Sequence, residues 1–463
     1  MTSSYEIDGL NRLMKQLLDS RVASSAEEAE AIFRTYRLHV SIDEAEATDS
    51  DHQIALLTTV NLACRAFLGG VSVSGALEAP LVAPLPLGST LKAAVQALGG
   101  AVEDATASTP VIYIGGAPRA RESGFRVRAV FSGWRGGILA AHSPVQIDRV
   151  KPMPLSAVLA GALAVNEAFL YVQQAGSAIG KRKIGLSLWN PSTAHDWSVP
   201  DPEEPELRFL PSNLWLLGLG HLGQAYLWGL STLPYGDERV LNLVLQDTDE
   251  VTKSSVSTSI LSTESHIGSD KTRVLSAWCT DRGFRTRLIE REFDGTFRRQ
   301  RSEPAIALCG FDNPEGRVEM ETAGFIYIVE AGLGQGHQDF RTMQIHTLPS
   351  SRPFSEIWRP VASSHEVQPA PAYQKMIDDG ILDQCGVTQL SGKAVGAPFV
   401  GCTAACLVLA EVLRQLHGGP VHDLISLDLT DVEHRHVVGH PNNFYSVNPG
   451  CLDLGAHASG LRV

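Results

Sequence analysis

Cysteine is scarce in this chain and basic charge is in deficit. Seven cysteines in 463 residues, at positions 64, 279, 309, 385, 402, 406 and 451, are too sparse and odd in number for a disulfide framework. No Cys-x-x-Cys pair is there to hold zinc. With 38 Lys and Arg against 51 Asp and Glu the net charge is −13, so the surplus of cations that nucleic acid or an anionic membrane demands is missing. Neither is expected as a partner. Long uncharged apolar runs are also lacking: the most apolar stretches, Pro154 to Val172 and Gly396 to Leu413, are interrupted by Glu167 and Glu411. Met1 to Leu10 is polar and carries Glu6 and Asp8, unlike the basic-then-apolar profile of a signal peptide. With the cysteine usage, this sets the expectation of a reducing cytoplasm.

What is present is the composition of a globular chain, 44% apolar and 19% charged, with 42 Gly and 25 Pro. The length is about three times that of a typical domain, so at least two hydrophobic cores are expected. Residues 190–212 combine five prolines with an acidic run and no apolar period, which reads as a linker. The expected division is therefore a first domain at 1–189, a linker at 190–212 and a second domain at 213–463.

In the first domain, helical spacing at Leu10 to Leu18 and Ala26 to Phe33 precedes a strand at Leu38 to Ile42 and a helix at Ile54 to Leu68. Val111 to Gly116 and the segment Phe125 to Ala141 read as strands before a long helix at Pro154 to Val172. In the second, strands at Leu214 to Leu217, Val240 to Leu245, Arg285 to Glu290, Ala305 to Cys309 and Phe325 to Val329 alternate with helices, the pattern of a parallel, doubly wound sheet. A faint repeat links the halves at constant offset: Pro154 with Pro398, Ala160 with Ala404, Leu163 with Leu407, Glu167 with Glu411. A genuine repeat makes the two halves one fold duplicated, with a nucleotide loop in the second copy alone.

That loop is Gly218-Leu219-Gly220-His221-Leu222-Gly223, which follows the apolar strand and opens a helix. Glycines there let backbone amides approach a phosphate, and the helix N-terminus favours negative charge. Asp247, 24 residues beyond Gly223, stands where a carboxylate accepts hydrogen bonds from ribose hydroxyls. This much fits a dinucleotide oxidoreductase equally well. Further along come Asp247 to Val251 (D-T-D-E-V), Gly268 to Lys271 (G-x-x-K) at a helix start, and Asp312-Asn313 at a strand end. Attack of a carboxylate on the α-phosphate of ATP gives both a use: Lys271 neutralises charge on the phosphoryl oxygens, and Asp312 holds Mg2+ beside the departing pyrophosphate.

This order of motifs resembles the superfamily of ubiquitin-activating enzymes and the bacterial adenylyltransferases that activate sulfur-carrier proteins, over roughly residues 213–415. Cys385-Gly386, followed by the turn Gly396 to Gly401 and an Ala-rich helix, matches the family's acyl-accepting cysteine. The resemblance implies two adenylation-type, Rossmann-like domains, the first inactive, with a crossover loop at about 350–384 and C-terminal strands. It also implies ATP and Mg2+ as cofactors, with Gly218, Gly220, His221, Leu222, Gly223, Asp247, Asp249 and Lys271 at the nucleotide. The implied activity is adenylation of the C-terminal glycine of a ubiquitin-like protein, transfer to Cys385 and delivery to a conjugating enzyme, as in activating enzymes of bacterial antiviral conjugation operons. A homodimer is compatible with it. The alternative is an adenylyltransferase of a sulfur carrier or peptide with no thioester step.

Departures are visible. The family's S-N-L-x-R-Q stretch reads Ser254-Ser255-Val256-Ser257-Thr258-Ser259, so its arginine must come from elsewhere, with Lys253 and Arg135 as candidates. Zinc pairs are absent. Cys402 and Cys406 in the apolar helix, with Cys309 and Cys279 at the ends of apolar segments, are expected to be buried and inert, whereas Cys385 sits after a Pro-rich polar stretch near Lys393. Cys451 is the second candidate. His434, His436 and His440 are read as surface residues.

Overall fold

Strand Leu38–Ile42 (β1), short, β-branched at two of five positions and buried on both faces, starts the first sheet and is followed by a helix at Ser50–Ala66 (α3). Asp49 caps that helix by accepting from the backbone N–H of His52. The computed structural model describes residues 9–116, 123–148, 150–311, 314–357, 371–378, 390–440 and 450–455. Before β1 lie two helices, Lys15–Asp19 (α1) and Ala26–Phe33 (α2). After α3 come Val71–Ser74 (β2), Ala101–Val102 (β3), Val111–Ile114 (β4), Arg126–Ser132 (β5), Arg135–Ala140 (β6), a helix at Pro154–Val172 (α4) and Ile184–Ser187 (β7). The sheet runs β3-β2-β1-β4-β5-β6-β7, parallel through β5 and antiparallel beyond it.

The second half repeats this plan. Asn213–Leu217 (β9) is followed by a helix at His221–Thr232 (α5), Asn242–Gln246 (β10), a helix at Lys271–Asp281 (α6), Arg285–Ile289 (β11) and Ile306–Cys309 (β12). A short helix at Pro314–Glu319 (α7), Tyr327–Leu333 (β13), Thr342–Leu348 (β14) and Pro371–Asp378 (α8) precede a helix at Pro398–Leu416 (α9), His422–Asp428 (β15) and His436–Gly439 (β16). The order is β11-β10-β9-β12-β13-β14-β15-β16, again parallel over the first five strands and antiparallel thereafter. Over seven strands the two sheets share one order, the second adding β16 at its edge, and α4 and α9 occupy the same place in each. The offset between Pro154 and Pro398 was therefore the trace of a duplicated α/β fold with two doubly wound, mostly parallel sheets.

Helices α4 and α9 are long and apolar enough to cross a membrane, yet here they form the centre of the molecule, packed on each other and on α3 and α5. One continuous core runs through both halves. Phe169 of α4 and Phe399 of α9 lie 5.6 Å apart by ring centroids, and the Trp228 indole N–H donates across the seam to the Thr58 hydroxyl at 2.9 Å. The charges interrupting these helices are paired alike. Glu167 takes the Arg182 guanidinium at 2.6 Å, while Glu411 takes Arg414 and, at 2.9 Å, the ring of His422. Each carboxylate thus ties its helix to the chain entering the next strand, and each pairing limits the cost of burying a charge.

Residues 190–212 are less independent than their composition suggests. Glu204 accepts from the Trp134 amide at 2.8 Å, the Pro205 carbonyl accepts from the Trp134 indole, and Phe209–Pro211 (β8) pairs with Cys451–Asp453 (β17). The helix expected from Leu10 starts only at Lys15, because the Asn11 side chain accepts from the amides of Leu13 and Met14 and holds a turn ahead of it.

Because the core is continuous, Phe169→Ala should destabilise the whole chain by about 3–5 kcal/mol. Chemical denaturation followed by fluorescence and far-UV dichroism should show one shifted transition; two transitions, one unmoved, would contradict a shared core.

Candidate active site

In a doubly wound sheet the ligand crevice opens at the carboxyl ends of the strands where the order reverses, here between β9 and β12. The glycine loop lies there. Gly218, left-handed at φ +82°, has no room for a side chain: a Cβ would stand 2.8 Å from the Phe311 amide nitrogen. At Gly223 it would overlap the Gly218 carbonyl oxygen. At Gly220 it would meet nothing within 4 Å, so this stretch of backbone faces open space. Gly220 is also the N-cap of α5, which has no side-chain cap and no acidic residue in its first turn. Its first amides are available to an anion.

Asp247, directly after β10, fixes the loop. One carboxylate oxygen accepts from the Leu219 amide at 2.6 Å and the other from the Asp249 amide at 2.8 Å. Lys271, the first residue of α6, is buried and reaches the same place, its Nζ 2.6 Å from Asp249 and 3.9 Å from Asp247. Gly218, Asp247 and Asp249 line a cavity of about 220 Å3 with Arg291, Phe293 and Phe311. The rings of Phe293 and Phe311 lie 5.8 Å apart on its wall.

Five of the anticipated residues, Gly218, Gly220, Asp247, Asp249 and Lys271, thus come together at one crevice, with Gly223 supporting the loop. Leu222 and His221 point elsewhere. Leu222 packs under Gly310, and the His221 ring packs against the glycines at 396 and 401, where a Cβ on Gly401 would overlap it. Burial, aided by the Arg12 charge and opposed by backbone groups of Ala397 and Pro398, pushes the His221 pKa down to about 4. Its imidazole is a neutral, buried packing group. Asp312, Asn313 and Cys385 lie outside the described residues. Cys279, Cys309, Cys402 and Cys406 are buried, and burial raises the Cys279 thiol to about 12; Cys451 is exposed on β17.

Neither candidate arginine substitute reaches this crevice. Arg135 is buried in the first half, where it donates to the Ser198 carbonyl and the Ser132 hydroxyl and faces Glu204 at 3.7 Å. Lys253 lines a separate cavity of about 830 Å3 at the seam, with Met14, Arg65, Ser257, Met376 and Leu390. Arg12 is among the cations that cross between the halves. Its amide donates to the Ser257 hydroxyl at 3.1 Å and its guanidinium to the Ala394 carbonyl at 3.2 Å. Lys15 likewise donates to the Ser391 carbonyl. The serines that replace the family's usual residues thus receive the amino-terminal segment of the first half. Nothing local in the sequence around Arg12 announces this.

In the first half the equivalent place after β1 holds carboxylates. A Cβ on Gly116 would overlap Asp43, one on Gly115 would meet Glu46 at 2.7 Å, and Asp49 and Asp51 follow.

Two copies of a doubly wound sheet, one with a glycine loop, a carboxylate and a lysine at its switch point, define a Rossmann-type α/β protein of tandem design. Family models for the BilD C-terminal domain and the BilD N-terminal domain match residues 210–419 and 37–188. A bacterial E1-like protein BilD of Collimonas sp. (strain OK412) is 42% identical over 430 residues, 92% of this chain and 93% of that protein. The chain belongs to the BilD family. Among solved structures, Escherichia coli MccB with AMPCPP and MccA is 15% identical at TM-score 0.35, covering 50% of this chain and 64% of MccB, a little under two thirds of its length. TcdA (CsdL) is 12% identical at TM-score 0.29, covering 44% of this chain and 86% of that one.

The depressed pKa of His221 carries a sign. Folded, the ring stays neutral down to about pH 4, while unfolded it takes a proton near its ordinary value of about 6.5, so its contribution is present above that pH and lost as pH falls between the two. His221→Gln should flatten the fall in denaturation midpoint between pH 7 and 4.5; a slope equal to that of the parent chain would contradict this.

Proposed function

We propose that this protein uses ATP to activate the C-terminal glycine of a ubiquitin-like protein. The observation that carries the reading is the convergence of the Gly218 to Gly223 loop, Asp247, Asp249 and Lys271 on one crevice in a chain of an E1-like family. The residues fit the nucleotide. Open amides at the start of α5 suit a triphosphate, Asp247 suits ribose hydroxyls, and Phe293 with Phe311 offers an apolar wall to the base. For Mg2+, which takes oxygen ligands, Asp312 is the assigned carboxylate. When bound, the ion draws charge from the phosphates as pyrophosphate departs.

The carrier's terminal carboxylate oxygen attacks the α-phosphorus, the bond to the bridging oxygen breaks, and pyrophosphate leaves an acyl-adenylate. Lys271, now engaged with Asp249, turns to the phosphoryl oxygens, where a fixed cation lowers the energy of the developing charge. The Cys385 thiolate then attacks the acyl carbon and expels AMP, and a conjugating enzyme takes the acyl group from the thioester. The seam cavity, bounded by residues on both sides of the segment with Cys385, gives the carrier's tail a place to lie. The first copy is catalytically silent: Asp43, Glu46, Asp49 and Asp51 make its corresponding end acidic, which repels a triphosphate. A cytoplasmic, antiviral setting follows from the same reading.

Pyrophosphate exchange with the carrier present tests the first step. Lys271→Met should lower it about 10²- to 10³-fold with the fold retained. A loss below threefold would contradict the role of Lys271. In a single turnover, Cys385→Ala should leave the adenylate and abolish a thiol-sensitive adduct. An adduct that survives removes Cys385 from the reaction, and an intact chain that forms none favours an adenylyltransferase with no thioester step.

A further inference from the structure

The end of β12, from which Asp312-Asn313 departs, is held from below by buried polar groups that the proposed chemistry does not touch. Each backbone position has its own tether. The Cys309 carbonyl accepts from the Tyr226 hydroxyl at 2.7 Å, the Gly310 amide donates to the Leu217 carbonyl at 2.7 Å, and the Phe311 carbonyl accepts from Arg317 Nε at 3.1 Å. Arg317, one turn into α7 and buried, also donates to the Ala331 carbonyl at 3.3 Å, so it bridges the ends of β12 and β13. Behind it stands Glu330, fully buried on β13, with one oxygen 3.6 Å from Arg317 Nε and the other 2.6 Å from Nδ1 of His346 on β14. His346 is the cross-strand partner of Glu330 in the register.

Such a set is costly to bury. Well-packed apolar residues of the same volume are as stable or more so, which makes stability alone a poor reason for three ionisable side chains here. What apolar residues lack is a fork of donors that sets two carbonyls at a fixed separation. One of the two, the Phe311 carbonyl, belongs to the peptide bond that leads into Asp312, and Phe311 itself lines the nucleotide cavity.

We propose that Arg317, Glu330 and His346 form a positioning unit that holds residues 309–311 against the glycine loop, and that the gain in ATP binding from Mg2+ depends on it. This rests on the role given above to Asp312. None of the three is a catalytic residue, because they act through the backbone of β12.

The full chain is tested by calorimetric titration with ATP in EDTA and with ATP in excess Mg2+, alongside its thermal midpoint and amide exchange of the peptide spanning 306–313. Arg317→Met and Glu330→Gln should lower the ATP affinity in EDTA by less than fivefold, through Phe311, reduce the gain from Mg2+ at least fivefold, and speed exchange in that peptide. Arg317→Lys, which keeps the charge without the fork, should recover part of the gain. His346→Gln retains a hydrogen-bonding side chain; it should fold where the others do not and show the same trend more weakly. Variants that lose thermal stability but keep the full Mg2+ gain and the parent exchange rate would overturn the proposal. Asp312→Ala separates the two levels. If it abolishes the gain while the triad variants keep it, the positioning unit alone fails; if it keeps the gain, the role of Asp312 fails and the positioning unit with it.

Discussion

Two stretches of backbone touch without side chains between them, and the site is built around that contact. Gly218 lies so close to Phe311 that no Cβ fits, a Cβ on Gly310 would come within 3.0 Å of the Gly223 amide, and Gly223 in turn sits on the Gly218 carbonyl. Substituting any of the three forces backbone apart in a packed region, where a displaced ångström is not absorbed locally. The amides of α5, the carboxylate of Asp247 and the end of β12 all take their positions from this interlock. It explains why the glycines at 218 and 223 are structural and only Gly220 faces open space.

Duplication gives the same scaffold two outcomes. Both copies place a strand, a turn and a helix at the reversal of strand order, yet one turn is glycine-rich and the other carries Asp43 and Glu46. The first copy instead contributes contacts. Helices α3 and α4 bury α5 and α9, and the segment before its sheet reaches over to Ser257, Ser391 and Ala394. A glycine-rich turn and an acidic one are thus drawn by a few residues on otherwise matching topology.

How much of this could be read from the sequence depends on the range of the interaction. Helices Ala26–Phe33 and Pro154–Val172 and strand Leu38–Ile42 lie within the bounds that periodicity sets, because each is decided by which face it buries. The loop at 218–223, Asp247 and Lys271 were legible because motif spacing along one βαβ unit fixes their geometry. The direction of the His221 ring was not legible, since the residue lies inside the loop motif yet its ring turns to the glycines at 396 and 401, more than 170 residues away. Arg12, Glu330 and His346 were invisible for the same reason: a long-range contact leaves no local pattern. Glu167 and Glu411 are the exception, because duplication repeats a tertiary pairing in the sequence.

The most direct test is a crystal structure of the full chain with Mg2+ and a non-hydrolysable ATP analogue. The phosphates should rest on the amides at the start of α5, the ribose should reach Asp247, and Lys271 should have left Asp249 for a phosphoryl oxygen. Nucleotide bound in the seam cavity or against Asp43 in the first half, with the glycine loop untouched, would contradict the account.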